Sequence, residues 1–507
     1  MTAAIAAGAL CLSLATALPA GAAAADDPLP PTDTRLAERL EKRVTLSGVM
    51  RHLRAFQRIA DANGGNRADS SPGYVASVDY VVGRLEAAGF EVSTPEFDYQ
   101  FFRVDAESLT VGDTPVTAFA MSYSGASGPG GVTGPLAVVP VDATTGCEPE
   151  DYAGQDYQGT VALISRGGCT FAQKQATAAS AGAVAAVISN NVDGELRGTL
   201  GEVGAGVVPT VGVSLADGQA LAGRAGEAAT VVVDATLEDR TSVNVIAQTR
   251  TGRTDNVVML GAHLDSVPEG AGISDNGTGS AALLATAQAL GSSPRVANAV
   301  RFSWWGAEEE GLIGSEAYVA DLDFEEQLDI AMYLNFDMIG SPNAAYFVFD
   351  GDDSDAVGAP AGPFGSAQIE QTFVDYLDGR LGVPTQGTDF NGRSDYGPFI
   401  AVGIPAGGLF TGADGIKTDE QAALWGGTAG EPYDPCYHTP CDDLGNVDTT
   451  ALARNSDAVA WATGVYARST TAVNGVPDRD ARAAARATAL RTLSAEPARV
   501  PERLVTE

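Results

Sequence analysis

At 507 residues the chain is too long for one ordinary hydrophobic core and must divide into at least two domains. Its 65 acidic and 30 basic residues leave a net charge of −35. This charge disfavours phosphate backbones and anionic membranes, so no nucleic-acid or membrane partner is expected, and self-repulsion favours a monomer.

Taken in order, residues 1–25 read as a secretory signal. An apolar stretch from Ile5 to Leu18 is followed by small residues from Gly21 to Ala25, then by Asp26 and Asp27. The expectation is a secreted, extracellular protein. Leu10 before Cys11 argues against a lipid anchor there, and no later run of apolar residues is long enough to span a membrane. Residues 26–40, rich in Pro and Asp, read as a disordered or propeptide segment. Loss of Cys11 with the signal leaves Cys147, Cys169, Cys436 and Cys441. In an exported chain this even number reads as two disulfides, and the spacing suggests Cys147–Cys169 and Cys436–Cys441, with a zinc knuckle as the alternative.

From Leu46 the pattern is helical, with Val49, Leu53, Phe56 and Ala60 on one face. A second helix carries Tyr74, Val78, Val81, Val82 and Leu85 and ends at Gly89, and the turn-rich NGGNR, Asn63 to Arg67, separates the two. His52 lies off the apolar stripe and reads as an ordinary surface histidine. After a strand-like region from Phe90 to Phe102, residues 103–240 read as short strands between turns. Within them, Gly159 to Asn190 reads as a strand, a turn at Gly167 and Gly168, an alanine-rich helix from Phe171 and a strand from Ala185. No acid, base or metal constellation appears in it. This segment resembles a protease-associated (PA) domain, which implies an insert in a secreted peptidase with no chemistry of its own.

Strands and helices resume at Ser242. The run Val257 to Leu260 predicts a buried central strand with His263 and Asp265 at its C-terminal end, where open α/β sheets place their sites. A glycine-rich loop then brings Asp275, and a helix with Thr278 as N-cap runs to Leu290 before Gly291. A strand from Ala299 to Trp305 leads to Glu308 and Glu309, and a strand within Met332 to Gly340 ends at Asp337. A helix with Ile369, Phe373, Tyr376 and Leu377, a loop from Phe390 to Phe399, and a strand from Ile404 to Phe410 follow. Asp434 to Asp442 brings Tyr437 and His438, and beyond Ser469 an Ala- and Arg-rich stretch reads as an exposed tail. The alternation predicts a three-layer α/β fold with a mostly parallel sheet. Its catalytic domain comprises residues 41–102 and 241–470, interrupted by the 103–240 insert and followed by the 471–507 tail.

Five potential ligands fall at strand ends or adjoining loops: His263, Asp275, Glu309, Asp337 and His438. A mixed imidazole and carboxylate set suits zinc, and two ions sharing one bridging carboxylate would use all five. Glu308, adjacent to Glu309, points to the opposite side and is free to act as general base. Each residue alone has a plainer reading. Asp275 to Thr278 is an ordinary turn in which Asn276 opens a glycosylation sequon, Glu308 to Glu310 a solvated acidic run, and His438 a packed histidine beside a disulfide. Two of the chain's three histidines in one set argue against coincidence.

The motifs GAHLDS, SDNGTGSA, WWGAEEEGLIGS, YLNFDMIGSP, GRSDYGPF, GGLFTGA and CYHTPCD resemble those of secreted bacterial di-zinc aminopeptidases of the leucyl type. The resemblance runs from Leu46 to Ser469 outside the insert and implies a zinc-exopeptidase fold. It places His263 and Asp337 on one Zn2+, Glu309 and His438 on the other, and Asp275 between them. It makes Glu308 the general base, Asp265 the acceptor for the His263 ring, and Tyr437 a donor to the oxyanion. Glu308 and Asp337 would hold the free amine of peptide substrates, with large apolar N-terminal residues preferred. The Asp275–Asn276 bond is expected to be cis. Arg393 would line the substrate site; the plainer reading has Ser394 or Asp395 capping a short helix and Arg393 at the surface. Calcium is left open, with no motif to support it.

Three alternatives stand beside this reading. A carboxypeptidase of the same fold needs clustered arginines, and the insert offers only the scattered Arg166, Arg197 and Arg224. A glutaminyl cyclase uses one zinc and fewer ligands. A non-catalytic binding protein is expected to have lost ligands or the base.

Overall fold

The structure is a computed structural model that describes residues 34–192 and 194–470 and, near the C-terminus, residues 479, 480, 482–484, 486 and 487. The expected signal segment lies outside the described residues.

Two eight-stranded sheets organise the chain. In spatial order the first contains Val92–Ser93, Val245–Gln248, Asn298–Trp305, Arg253–His263, Ile330–Phe336, Ala406–Phe410, Phe347–Phe349 and Gln386–Thr388. Its four central strands, Asn298–Trp305 to Ala406–Phe410, are mutually parallel, and antiparallel pairs flank them. Alternation along the central strand sends side chains to both faces. Val258 and Leu260 enter a core with Leu53, Phe56, Leu283 and Val459 from the helices Leu46–Ala62, Thr278–Leu290 and Thr449–Arg468. Met259 enters the opposite core with Trp305, Val319, Tyr333 and Phe399. Both faces are therefore covered, as a parallel sheet requires. His263 closes the central strand, and Asp337 directly follows Ile330–Phe336.

The second sheet is built on a ribbon of two 16-residue strands, Glu96–Val111 and Ala228–Val243, paired antiparallel from Glu96 opposite Val243 to Val111 opposite Ala229. Beyond the ribbon, Val132–Val138, Val161–Ser165, Ala185–Ser189 and Thr210–Val213 run parallel to one another. They bury Leu136, Leu163 and Val187 on one face and Ile164, Ile188 and Phe171 on the other. The ribbon strands extend past the 103–240 limits at both ends. At its root Tyr99 donates to Asp69 at 2.6 Å, Ser242 donates to the same carboxylate, and Tyr74 donates to the Val243 carbonyl at 2.6 Å.

Several expectations are corrected. The disorder expected up to residue 40 gives way to a helix, Arg35–Arg43, whose Leu36, Ala37 and Leu40 are buried. Ala37 lies so close to Gly464 that a Cβ there would meet the Ala37 backbone at 2.4 Å. The tail is not simply exposed: Arg482 donates to Asn256 Oδ1 at 2.8 Å and to the Leu328 carbonyl at 3.0 Å, beneath the sheet. Thr278 is the first residue of its helix rather than the cap, and the expected loop at 390–399 ends in a helix, Tyr396–Ala401. Cys147–Cys169 and Cys436–Cys441 are the disulfides, so the zinc knuckle is excluded.

His52 is buried, not at the surface, and its Nδ1 lies 2.8 Å from Tyr80 Oη. Burial lowers its pKa to about 4. Between about pH 6.5 and that value the unfolded chain binds a proton that the folded chain refuses, so stability falls with pH across this window. On lowering the pH from 7 to 5, the wild type is expected to lose about 2 kcal/mol more unfolding free energy than His52→Gln in urea titrations.

Candidate active site

The loop from Leu264 to Gly277 is stitched to the neighbouring strand end by its own polar side chains. Asn276 donates to the Phe336 carbonyl at 2.9 Å and accepts the N–H groups of Gly279 and Met338. Ser280 donates to the His263 carbonyl at 2.6 Å. A Cβ at residue 279 would stand 2.1 Å from the Phe336 carbonyl oxygen, so glycine allows the helix to approach the strand. The Asp275–Asn276 bond is cis. Ala307, Met338 and His438 adopt left-handed backbone at φ 54, 48 and 56°, a conformation that clusters at functional sites.

These constraints gather the sequence-derived residues into one cluster. His263 Nε2 lies 3.1 Å from Asp275 Oδ1, 3.3 Å from Asp337 Oδ1 and 4.0 Å from Glu308 Oε2. His438 Nε2 lies 2.9 Å from Glu309 Oε2 and 3.3 Å from Asp275 Oδ2. The two oxygens of Asp275 thus face different imidazoles, each with a further carboxylate. Donor atoms of His263, Asp275 and Glu309 fall within 4.8 Å of one another, as do those of His263, Glu308 and Asp337. Glu309 Oε1 is buried with no hydrogen-bond partner. An orphaned carboxylate oxygen in such a donor set fits a cation.

One expected contact differs. His263 Nδ1 stands 3.6 Å from the Asp265 carboxylate but 3.2 Å from the Asp265 backbone oxygen, which is the nearer acceptor. The carboxylate is engaged elsewhere, accepting the N–H groups of Glu308 at 3.3 Å and Glu309 at 3.2 Å. Tyr437 stacks on His438 with centroids 3.8 Å apart and accepts Arg393 Nη2 at 3.2 Å, while Arg393 Nη1 donates to Asp414 at 3.2 Å.

Other supporting side chains were not assigned roles from sequence. Ser394, first considered as a helix cap, donates to Asp337 Oδ2 at 2.6 Å and accepts Asn335 Nδ2 at 2.8 Å. Asp442 accepts the N–H groups of Ser274 at 2.7 Å and Asp275 at 3.1 Å. Its position directly after Cys441 in the CYHTPCD motif is the only local signal. A separate acidic group joins Asp350 and Asp352, on the loop after Phe347–Phe349, with Glu370 of the helix Ser366–Val374. There Asp350 and Glu370 already accept backbone N–H groups of that loop.

Electrostatics follow from burial. Glu308 is pushed well above the ordinary carboxylate range by burial, with Asp395, Asp337 and Glu309 adding to the effect and His263 opposing it. Asp395, 1 % exposed, rises to about 8, also through burial. For His438 burial works downward, but Glu309 and Asp275 outweigh it and raise its pKa to about 11. Burial likewise opposes protonation of His263, and Asp337 and Glu308 reverse the balance. Burial alone would raise Asp275, yet its bonds and attraction to the two imidazoles draw it down.

Imidazoles and carboxylates grouped in this way at the ends of parallel strands define a metallohydrolase. Residues 244–463 match the model of peptidase family M28, and residues 132–221 match that of the PA domain. The chain is 51% identical over 451 residues to the probable lipoprotein aminopeptidase LpqL of Mycobacterium tuberculosis, covering 88% of this chain and 90% of that one. It is 46% identical over 424 residues to the probable leucine aminopeptidase 2 of Aspergillus fumigatus, covering 82% and 81%. Among solved structures, BSAP, a zinc aminopeptidase from Bacillus subtilis, superposes with a TM-score of 0.62 at 25% identity, over 86% of this chain and 97% of that one. The chain belongs to peptidase family M28, carries a PA domain, and is a metallo-aminopeptidase.

Replacing Asp265 by Ala leaves the N–H groups of Glu308 and Glu309 without their buried acceptor. Aminopeptidase turnover is expected to fall by roughly 10–100-fold with the circular dichroism spectrum unchanged. Turnover of purified Asp265→Ala checks this.

Proposed function

We propose that the chain is an exported two-zinc aminopeptidase that releases the N-terminal residue of peptides, large apolar residues above all. The observation that carries this reading is the placement of the Asp275 oxygens between His263, with Asp337, and His438, with Glu309. His263 and Asp337 would hold one ion, His438 and Glu309 the other, and Asp275 both. The donor chemistry and the likeness to a zinc aminopeptidase support zinc. When bound, the pair supplies Lewis acidity to the attacking water and the scissile carbonyl.

The remaining steps fall to side chains. Glu308 takes the proton that the attacking water loses and passes it to the nitrogen of the departing amine as the C–N bond breaks. Burial strengthens its hold on a proton, which suits a group that must accept and then donate. Tyr437 accepts its hydrogen bond from Arg393 through oxygen, leaving the O–H to stabilise negative charge on the carbonyl oxygen. Glu308 and Asp337 attract the substrate ammonium, so a blocked N-terminus is excluded. The name of the A. fumigatus relative supports the apolar preference. Two disulfides and the signal-like start support export. Among the described residues no helix is long and apolar enough to cross a membrane.

Zinc-loaded wild type is expected to hydrolyse leucine p-nitroanilide but not its N-acetyl derivative. Glu308→Ala is expected to lose at least about 1,000-fold in kcat while keeping its zinc. No turnover by the zinc-loaded wild type, or full turnover in excess chelator, would overturn the reading.

The carboxylates that raise His263 and His438 also fix the sign of the pH dependence. Zinc must displace a proton from each imidazole, so affinity weakens as pH falls, and activity is expected to be lost below about pH 6. Zinc uptake at pH 7 is expected to release about two protons, measured by calorimetry in buffers of different ionisation enthalpy.

A further inference from the structure

Arg67, read from sequence as the end of a turn, is fully buried between the helical layer and the loop that joins His263 to Asp275. Its guanidinium lies over Phe56, 5.1 Å from the ring centroid. Nε donates to the Ala271 carbonyl at 2.9 Å, Nη2 to that of Gly272 at 2.5 Å, and Nη1 to that of Leu264. The backbone makes a second clasp: Arg67 N donates to Ser266 Oγ at 2.9 Å, and Ser266 N donates to the Arg67 carbonyl at 3.3 Å. Among the described residues no carboxylate lies within ion-pair distance of the guanidinium. A fully buried cation without such a partner is costly, and here every guanidinium nitrogen is committed to a loop carbonyl.

Those carbonyls mark both ends of one segment. Leu264 follows His263, and Ala271 and Gly272 precede Asp275 by a few residues. Asp442 holds the far end through the N–H groups of Ser274 and Asp275. We propose that Arg67 is a positioning residue that draws the two ends of this loop together and so sets the separation at which His263 and Asp275 address the same metal ion. This rests on the zinc reading above. A planar fork with donors diverging in three directions meets the three carbonyls at once; a lysine ammonium, a point donor on a flexible stem, does not.

Full-length wild type, Arg67→Lys, Ser266→Ala and Val81→Ala, each loaded with zinc, are titrated with a chromophoric chelator and assayed on leucine p-nitroanilide. Arg67→Lys keeps the charge and loses the fork, and is expected to bind zinc roughly 10–100-fold more weakly, with kcat reduced and KM near the wild-type value. Ser266→Ala removes the hydroxyl that accepts Arg67 N and donates to the Gly270 carbonyl at 3.2 Å, while the Ser266 N–H bond to the Arg67 carbonyl stays. It is expected to move zinc affinity the same way by a smaller factor, and keeps the test open if Arg67→Lys does not fold. Val81→Ala opens a cavity in the same helical layer and is expected to lower Tm without changing zinc affinity. Wild-type zinc affinity and kcat in folded Arg67→Lys, or in Ser266→Ala where Arg67→Lys does not fold, would overturn the inference whatever happened to Tm. A wild type that took up no zinc would instead overturn the zinc reading beneath it.

Discussion

Negative charge packed where little water reaches is the constraint on which the rest of this structure depends. Asp265, Asp275, Glu308, Asp395 and Asp442 are all buried around one strand-end crevice. A buried carboxylate must find donors, gain a cation or take up a proton. The protein uses each of these solutions for different residues. Asp265 and Asp442 are satisfied by pairs of backbone N–H groups, Asp337 receives the Ser394 hydroxyl, and Asp395 is raised to about 8. Asp275 and Glu309 have imidazole partners instead, and Glu308 has only the distant edge of one. Among the described residues none of the carboxylates proposed as ligands and base accepts a backbone N–H, and Asp395, which also lacks one, is instead a group whose hold on a proton is raised.

The fold makes this concentration possible by spreading its cost over separate elements. Four parallel strands end on the same side of the sheet, where the last residue of one supplies His263 and the connections after two others supply Glu308 and Glu309, and Asp337. No single loop has to carry all of the charge. The Cys436–Cys441 bridge encloses Tyr437 and His438 in a short loop and places Asp442 directly beyond it. One covalent link thereby fixes both an imidazole and the carboxylate that holds the Asp275 backbone.

Much of this was legible in the sequence because the informative residues sit beside regular elements. The apolar run before His263, the glycine-rich approach to Asp275 and the scarcity of histidine pointed to one cluster. Contacts between residues distant in sequence were not legible. His52 looked like a surface residue because it lies off the apolar stripe of its helix, and the partners that let it be buried, Tyr80 and Gln288, are 28 and more residues away in sequence. Arg67 looked like part of a turn because its carbonyl acceptors lie some 200 residues later. Spacing put Asp265 near His263 but could not show that two N–H groups from another connection would claim its carboxylate. The helix Arg35–Arg43 was obscured by the Pro- and Asp-rich residues before it, and the packing of Arg482 by the polar composition around it.

The PA domain leaves and rejoins the catalytic fold along a single ribbon, entering at Glu96 and returning opposite it at Val243. The flanking strands Val92–Ser93 and Val245–Gln248 are themselves paired neighbours. From the catalytic sheet, then, an inserted domain of well over a hundred residues has the connectivity of a hairpin loop. Its two junctions coincide in space, so chain continuity through the sheet is indifferent to the module's size. A family built this way can gain, lose or exchange the module by recombination at two adjacent points without reordering a catalytic strand.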